Sequence, residues 1–372
     1  MKERAIVTVL DSLNQTTMPY NEFILYRNKH FPSEQQIVLL TGNEITIPQS
    51  EIPSELIIYK AGKNPFKIRK VLKTIRNYCR DNSLGLVVHL HSIRGAFSTL
   101  IAMPGVISRK CTIYTIHSTF TGYRLHNKIF SFIDACLANY VTCVSNASYN
   151  KFPVILKTYK GDRICALQNG VNIERIENDL HNINVFDKKS HFVTFVYIAR
   201  LVALKNHKFL VDVMSILKAS GATNIRFMFI GEEEDGGRTR MYAERKGVID
   251  MIDFKGLIPR SDVYNTIVNT DVYMSSSTLE GLPVAVLEAM YCGLPAILSD
   301  IPQHKEVANG CKGVKTIPFV EKVWVDEIIK VSNFDLSERK ALGMICKNYV
   351  KKEFSLDMMH QKYNEKYDKI MI

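Results

Sequence analysis

The strongest constraint on the fold of this chain is a repeated alternation of short β-rich runs with helical stretches. The runs of the first series are Ala5–Leu10, Gln36–Leu40, Leu56–Tyr59, Leu86–His91, Thr112–His117 and Tyr140–Val144. Those of the second series are Phe192–Ile198, Ile225–Ile230, Met251–Phe254, Asp271–Met274 and Pro295–Leu298. This alternation is typical of parallel sheets covered by helices on both faces. The sequence therefore predicts an α/β protein with two doubly wound, Rossmann-like lobes.

A polar stretch of mixed charge, residues 172–190, separates the two series and has no clear period. The 372 residues are also too many for one ordinary hydrophobic core. We therefore expect an N-terminal domain over residues 1–180 and a second domain over 181–350. A C-terminal helix over 351–372 would close the structure. Because ligands of such sheets bind beyond the carboxyl ends of the strands, we expect the functional site in a cleft between the lobes.

The composition indicates a globular protein, with 46% hydrophobic and 23% charged residues. No apolar run approaches the roughly 18 residues that span a bilayer. The first apolar stretch ends at Asp11, so it reads as a strand and not as a signal peptide. The eight cysteines are scattered without a CxxC pair, so neither disulfides nor a structural zinc site is expected. These features favour a cytoplasmic protein.

Positive charge is concentrated in the first half of the chain. Residues 1–180 carry 22 Lys and Arg against 13 Asp and Glu, whereas the remainder carries 26 against 24. Part of this excess lies in a predicted amphipathic helix, Asn64–Arg80, which Asn64 can cap and Pro65 can begin. Two interpretations stay open for its cations. They are solvated on an ordinary surface helix, or they hold the protein peripherally on the anionic inner face of the cell membrane.

The most informative segment is 275–300, SSSTLEGLPVAVLEAMYCGLPAILSD. Glu280 and Glu288 are separated by seven residues, and Pro283 can occupy the first position of a helix that ends at Gly293. Glu280 would then precede the helix and Glu288 would lie within it. Two carboxylates so placed can bind sugar and ribose hydroxyls. The helix N-terminus between them favours phosphate, with the amides of Leu282 and Val284 expected to be free.

This segment resembles the retaining glycosyltransferases of family 4, which have the two-lobed GT-B fold and a Glu-x7-Glu motif. The resemblance implies that Glu280 contacts the sugar of a nucleotide-sugar donor and that Glu288 contacts its ribose. Gly281, Leu282 and Val284 would complete the donor site at the helix N-terminus.

The same resemblance extends to the loops that follow the second series of strands. It implies that Arg200 and Lys205 neutralise the donor diphosphate and that both act with Glu280 as catalytic residues. It places Gly231 and Ile258 in the donor-binding site. The chain has no DxD-like metal motif, so we expect no metal ion and no cofactor beyond a UDP- or GDP-linked donor.

In the first lobe, His117 ends a predicted strand, and the resemblance implies that it contacts the donor sugar as a further catalytic residue. His89 and His91 would share one face of another strand. That spacing could suit a metal pair, but no further ligand lies nearby in the sequence. We assign His91, Asn14 and Thr16 to the acceptor side. Residues 13–19 contain no glycine and so depart from the Gly-Gly turn usual in the family.

The resemblance implies transfer of a hexose-type sugar, with retention, to a glycan or polyprenyl-diphosphate-linked acceptor. A bacterial surface polysaccharide, O-antigen of lipopolysaccharide or capsule, is the expected product. A nucleotide-sugar epimerase or hydrolase on the same fold is the alternative. A nucleic-acid-binding protein is suggested only by the basic composition, since no RNA-binding motif is present. A Rossmann dehydrogenase is excluded because no GxGxxG follows the first strand of either lobe.

Overall fold

A computed structural model describes residues 3–13, 19–47, 51–181 and 192–372. The chain forms two compact units. The first unit is Met1–Gly170 together with Leu356–Ile372, and the second unit is Val171–Ser355. The sequence placed the boundaries at residues 180 and 350, whereas the chain passes between the units at Gly170–Val171 and at Ser355–Leu356.

The first unit is built on a parallel sheet of seven strands within the described ranges. The strands are β1 (Arg4–Leu13), β2 (Glu34–Ile45), β3 (Ile57–Lys60), β4 (Gly85–Leu90), β5 (Thr112–Ile116), β6 (Tyr140–Cys143) and β7 (Ile164–Ala166). Their spatial order is β3-β2-β1-β4-β5-β6-β7. The direction of winding therefore reverses between β1 and β4, the topological switch point of this sheet.

Helices cover both faces of this sheet. They are α1 (Pro19–His30), α2 (Pro65–Asp81), α3 (Ile93–Ala102), α4 (Leu125–Leu137), α5 (Asn146–Asn150), α6 (Val154–Lys160) and α15 (Leu356–Ile370). One core cluster joins the sheet to α2, α3, α4 and α6. A second cluster joins its other face to α1 and α15. The first unit is therefore a doubly wound sheet, as predicted.

Helix α2 matches the predicted amphipathic helix closely. The side chain of Asn64 accepts a hydrogen bond from the Phe66 amide at 2.9 Å, which satisfies one of the amide donors that a helix N-terminus leaves open. Its buried side chains face the sheet and are Ile68, Leu72, Ile75 and Cys79. The predicted helix, its cap and its apolar face are confirmed.

The second unit has a parallel sheet of six strands in the described part of the chain. They are β8 (Val193–Ile198), β9 (Ile225–Ile230), β10 (Ile252–Gly256), β11 (Val272–Ser275), β12 (Ala296–Ser299) and β13 (Val314–Ile317). The order is β10-β9-β8-β11-β12-β13, so its switch point lies between β8 and β11. The helices are α7 (Ile173–His181), α8 (His207–Ala219), α9 (Arg238–Arg245), α10 (Arg260–Val268), α11 (Val284–Tyr291), α12 (Pro302–Ala308), α13 (Glu321–Ser332) and α14 (Leu336–Glu353).

The end of the chain returns to the first unit. Helix α15 buries Leu356, Met359, Tyr363 and Tyr367 in the same cluster as Ile6 of β1. Beyond it, the Leu86 amide donates to the Ile372 carbonyl at 2.8 Å. The preceding helix, α14, belongs to the second unit. The C-terminal residues therefore complete the core of the first unit.

None of the helices in the described ranges is both long and apolar enough to cross a membrane. All eight cysteines lie within those ranges and are free thiols.

Candidate functional site

The predicted donor residues of the second unit lie in loops that follow β8, β9, β10 and β11, and in helix α11. Strands β8 and β11 are neighbours at the switch point, where ligands of such sheets bind. Residue 200 follows β8, residue 231 follows β9 and residue 280 follows β11. The fold therefore brings separate parts of the chain to one edge of the sheet.

The loop that carries Lys205 is fixed by hydrogen bonds to the loop after β11. The Ser276 hydroxyl lies 3.1 Å from the Lys205 carbonyl oxygen and 3.0 Å from that of Asn206. The Thr278 amide donates to the Leu204 carbonyl at 2.9 Å. Asn206 has φ of 54°, a left-handed conformation that asparagine tolerates better than most residues. These contacts fix the backbone from which the Lys205 side chain projects.

Lys205 and Glu280, both predicted from the sequence, form an ion pair. The Lys205 Nζ lies 2.5 Å from the Glu280 Oε1. The two side chains are 23% and 12% exposed, so each is largely buried but reachable. A cation and a carboxylate in contact can receive a phosphate on one side and a sugar hydroxyl on the other.

Glu288 accepts hydrogen bonds from three side chains through its Oε1 atom. Arg260 Nη2 lies at 2.6 Å, Arg175 Nη2 at 3.0 Å and the Tyr264 hydroxyl at 3.0 Å. Burial raises the pKa of Glu288, but the charges of Arg260 and Arg175, with the hydrogen bonds from Arg260 and Tyr264, outweigh it. The pKa is lowered below its ordinary value, so the carboxylate is ionised at neutral pH.

Arg175, Arg260 and Tyr264 were not predicted as site residues. Arg175 lies in α7, 113 positions before Glu288, and Arg260 begins α10, 28 positions before it. The one local indication that Arg260 belongs to the site is its position two residues after the predicted residue Ile258. The contact of both arginines with one carboxylate follows only from the tertiary fold.

Arg200 makes a different contact from Lys205. Its Nη1 lies 2.7 Å from Glu234 Oε1, in the acidic turn after β9, and its side chain is 60% exposed. The structure therefore places a second predicted cation at the same edge of the sheet, held by its own carboxylate partner.

Gly231 is required by the close approach of two strand ends. Its φ is 149°, and a Cβ atom there would lie 2.2 Å from the Ala199 carbonyl oxygen. Its amide donates to the Gly256 carbonyl at 2.9 Å. Only glycine accommodates this conformation and this contact, so Gly231 determines how closely β9 ends beside the Arg200 loop.

Helix α11 begins one residue later than predicted. Pro283 is its N-cap and Val284 its first residue, and Gly293 follows the helix with φ of 89°. The Val284 amide donates to the Leu282 carbonyl at 2.9 Å. The expectation that this amide is free is corrected, because a tight turn at Pro283 engages it. Gly281 and Leu282 precede the helix, with Leu282 buried.

The predicted histidines of the first unit form a cluster in which His91 is buried and His117 partly buried. His91 Nδ1 lies 2.9 Å from His117 Nε2. Burial lowers the pKa of His117 to about 4, and burial followed by the charges of His89 and His117 lowers that of His91. His89 instead contacts the hydroxyl of Tyr367 at 2.7 Å, which marks it as a structural residue. Asn14 and Thr16 lie outside the described residues.

No cluster of three or more metal-ligating side chains occurs among the residues that the structure describes.

Comparison with known proteins identifies the enzyme class. Residues 178–343 match the family "Glycosyl transferases group 1". The chain is 25% identical over 310 residues to the capsular polysaccharide biosynthesis glycosyltransferase CapH of Staphylococcus aureus, covering 82% of this chain and 80% of that protein.

Solved structures agree with this fold. A glycosyltransferase from Rickettsia africae superposes with a TM-score of 0.77 at 18% identity, over 100% of this chain and 99% of that chain. Anabaena Alr3699/HepE in complex with UDP and glucose gives 0.75 at 14% identity, over 98% and 99%. These similarities show the GT-B fold that the sequence predicted. The chain is therefore an enzyme of the glycosyltransferase class, and its residues 178–343 are similar to the group 1 family.

Proposed function

We propose that this enzyme is a retaining glycosyltransferase of family 4 that transfers a hexose from a UDP- or GDP-linked donor in capsular or exopolysaccharide biosynthesis. The observation that carries this proposal is the division of the Glu-x7-Glu motif into two chemical environments. Glu280 is paired with Lys205, whereas Glu288 is held by Arg175, Arg260 and Tyr264.

In the proposed reaction, the bond between the sugar C1 and the diphosphate oxygen breaks while an acceptor hydroxyl forms the new bond on the same face. Negative charge develops on the leaving diphosphate, and Lys205 and Arg200 stabilise it without a metal ion. Glu280 accepts hydrogen bonds from the donor sugar, which positions it beside Lys205. The reacting hydroxyl belongs to a glycan or polyprenyl-diphosphate-linked acceptor, and its proton leaves with the diphosphate.

Glu288 holds the ribose in this proposal. An ionised carboxylate is a strong acceptor for hydroxyl donors, and the lowered pKa keeps it ionised. Arg175, Arg260 and Tyr264 fix its orientation, so they are positioning residues. The backbone near Gly231, Ile258 and Gly281 lines the nucleotide, and the neutral His117 serves as a hydrogen-bonding partner for the sugar.

We also propose that the enzyme is cytoplasmic and adsorbs to the inner membrane face through α2. Its apolar residues pack against the sheet, while Phe66 at its N-terminus is 84% exposed beside several lysines. Basic side chains near an anionic surface contribute about 1 kcal/mol each. Co-sedimentation with anionic vesicles should therefore fall when Lys67, Lys70 and Lys73 are changed to glutamine; unchanged co-sedimentation would exclude this helix.

The donor site is tested by calorimetric titration of wild-type enzyme with UDP, GDP and ADP. We expect one nucleotide to bind selectively, and Glu288→Gln to weaken it by about tenfold or more, since a hydrogen bond to a charged group contributes roughly 1.5–3 kcal/mol. The control is Glu321→Gln, which removes an exposed glutamate of the same unit and should leave the Kd unchanged.

Two results would contradict the proposal. One is the failure of every nucleotide to bind; the other is equal binding by the folded Glu288→Gln variant and the wild type. Release of free sugar at the same rate with and without an acceptor would instead identify a hydrolase.

A further inference from the structure

A buried tyrosine, Tyr197, connects the two loops that carry Lys205 and Glu280. It lies on β8, one position before the last residue of the strand, and it is 1% exposed. Its hydroxyl donates to the Lys205 carbonyl oxygen at 3.0 Å. The same hydroxyl lies 2.7 Å from Ser277 Oγ, and Ser277 precedes Glu280 by three positions in the loop after β11. One phenol therefore contacts the residue that carries the cation and the segment that leads to the carboxylate.

Both contacts of the Tyr197 hydroxyl are hydrogen bonds in only one arrangement of protons. Burial, and after it the charge of Glu280, raises the pKa of Tyr197, so the phenol keeps its single proton. A carbonyl oxygen can only accept, so this proton is donated to Lys205. The Ser277 hydroxyl then donates to the Tyr197 oxygen. The tyrosine is therefore a link with a fixed direction between the two loops.

Ser277 is itself anchored to the next strand of the sheet. Its carbonyl oxygen accepts a hydrogen bond from the Ser299 hydroxyl at 2.6 Å, and Ser299 is the last residue of β12. The His304 Nδ1 lies 2.9 Å from the Ser299 carbonyl oxygen. Burial lowers the pKa of His304 to about 4, so its ring is neutral and Nδ1 carries the proton for this bond. The segment before Glu280 is thus attached to β8 and to β12.

The ring of Tyr197 is fixed by the aromatic side chains around it. His207, the first residue of α8, stacks on it with the ring centroids 4.5 Å apart and an interplanar angle of 26°. Tyr273 of β11 meets it edge-on, at 6.5 Å and 88°. Aromatic pairs favour both geometries, and both neighbours are buried. The packing of the sheet therefore determines where the Tyr197 hydroxyl lies.

A second donor holds the Lys205 carbonyl, so the tyrosine adds precision to a loop that is already attached. The Ser276 hydroxyl donates to the same oxygen at 3.1 Å. Loss of the Tyr197 hydroxyl would loosen this peptide without releasing it. A lysine side chain is a flexible four-carbon stem, so its Nζ depends on a fixed backbone for its position. In an enzyme, a misplacement of about 1 Å can reduce a rate by about a hundredfold.

The ion pair indicates which phosphate of the donor this precision concerns. In the proposed reaction Glu280 contacts the donor sugar, and the Lys205 Nζ lies 2.5 Å from Glu280 Oε1. Lys205 is therefore adjacent to the phosphate that carries the sugar, which is the β-phosphate of a nucleoside diphosphate.

We propose that Tyr197 is a positioning residue of the transfer reaction, whose hydroxyl joins the Lys205 carbonyl to Ser277 and so holds the lysine against the β-phosphate of the donor. The inference rests on the proposed function, since Lys205 must face a diphosphate for its position to matter. A tyrosine that only stabilised the fold would affect all nucleotides alike. A positioning residue affects those that have a β-phosphate.

The test compares UDP with UMP, which lacks the β-phosphate. Calorimetric titration of the full chain gives the ratio of the UMP Kd to the UDP Kd, and GDP with GMP replaces this pair if guanine is the base that binds. Lys205→Ala should lower the ratio by about tenfold or more, because a contact to a charged group is lost. We expect Tyr197→Phe to lower it by about threefold or more and to leave the Kd of UMP within about twofold.

Two further variants separate the link from the burial of a tyrosine. Ser277→Ala removes the same link from its other end and should lower the ratio as Tyr197→Phe does. The matched control is Tyr273→Phe. Tyr273 is also 1% exposed and lies on the neighbouring strand, but its hydroxyl contacts the Ile198 carbonyl at 3.4 Å. Its loss should leave the ratio within about twofold of wild type.

The double variant Tyr197→Phe with Lys205→Ala decides whether the tyrosine acts through the lysine. It should give the same ratio as Lys205→Ala alone. A further decrease in the double variant would overturn the inference, as would equal weakening of UDP and UMP by Tyr197→Phe. A wild-type enzyme that binds no nucleotide would contradict the proposed function and this inference with it. If wild-type enzyme prefers UDP to UMP and Tyr197→Phe leaves that preference unchanged, the inference alone is wrong.

Discussion

The two glutamates of one short segment differ in how firmly they are held. Glu280 has a lysine partner on a flexible side chain, whereas Glu288 is fixed by two arginines and a tyrosine. A ligand that contacts Glu280 must share or exchange its ion pair with Lys205. Glu288 is instead pre-oriented before any ligand arrives, which lowers the entropy that binding must overcome.

This difference gives a prediction for Glu280→Gln. Loss of the carboxylate frees Lys205 for the diphosphate, so the Kd of UDP should stay within about threefold of wild type. The transfer rate from the sugar nucleotide should fall by about a hundredfold, because a contact to the reacting sugar is lost. Calorimetry and initial rates measure the two effects. A variant that lost UDP affinity but kept its turnover would reverse the roles assigned to Glu280 and Glu288.

At this scale, sequence reasoning found the residues that belong to a local motif. Glu280, Glu288 and Lys205 were predicted because the local motifs that contain them resemble those of the glycosyltransferase family. Arg175 and Arg260 were not, because an arginine at the start of a helix resembles any solvated cation. Their role depends on a carboxylate 113 and 28 positions away.

At the scale of elements, the ends of β8 and β9 shape the donor edge of the second sheet. We predict that Gly231→Ala destabilises the second unit by about 3 kcal/mol or more, because its Cβ would overlap the Ala199 carbonyl and its φ is unfavourable. Urea unfolding followed by fluorescence of Trp324, the single tryptophan and a buried residue of this unit, measures the loss.

The matched control is Gly247→Ala. Gly247 also has a positive φ, 66°, but a Cβ there would have no neighbour within 4 Å. Only the backbone penalty of about 1–2 kcal/mol remains. Equal destabilisation by the two substitutions would show that the contact between Gly231 and Ala199 adds nothing.

The elements themselves were predicted unevenly. Long buried strands such as β1 and β9 were found because several consecutive apolar residues make a strong signal. Strands β7 and β13 were missed. β7 has three residues, and β13 reads Val-Lys-Thr-Ile, so neither is long enough to distinguish a strand from a loop. Their pairing with β6 and β12 supplies what the sequence pattern lacks.

At the scale of the whole molecule, six histidines in the described part of the chain link stability to pH. Burial lowers the pKa of each in the folded chain; they are His89, His91, His117, His207, His304 and His360. Burial lowers the pKa to about 4 for His117 and His304 and to about 3 for His207. In the unfolded chain histidine titrates near 6.5.

The direction in which stability changes with pH follows from the number of protons that the folded and unfolded states bind. Below pH 6.5 the unfolded chain binds protons that the folded chain excludes, so stability is complete above that pH and is lost as the pH falls towards 4. We predict that the melting temperature declines steadily between pH 7 and pH 5. Thermal unfolding monitored by circular dichroism checks this, and a constant melting temperature over that interval would contradict it.

Asp134 provides an internal comparison, because its effect has the opposite sign. Burial raises its pKa to about 9, so at neutral pH the folded state holds a proton that the unfolded state has released. The resulting loss of stability disappears as the pH falls and the unfolded chain also becomes protonated. Asp134→Asn removes this opposing contribution. The variant should be more stable than wild type at pH 8 and should lose stability more steeply on acidification.

The whole-molecule organisation was predicted in outline, as two doubly wound sheets. The return of the chain to the first unit could not be predicted from a sequence pattern. The pattern of an amphipathic helix such as α15 shows that it has an apolar face, but not which sheet that face will cover. The contacts of Met359 and Tyr363 decide it.

That return has a consequence for folding during synthesis. Helix α15 leaves the ribosome only after all of residues 171–355 have been made, yet it fills the core beside β1, which was made first. The second unit is continuous in sequence and can close as soon as it emerges. The earlier-made unit must wait with one face of its sheet covered by α1 alone, so the half of the enzyme that is translated first is the half that finishes folding last.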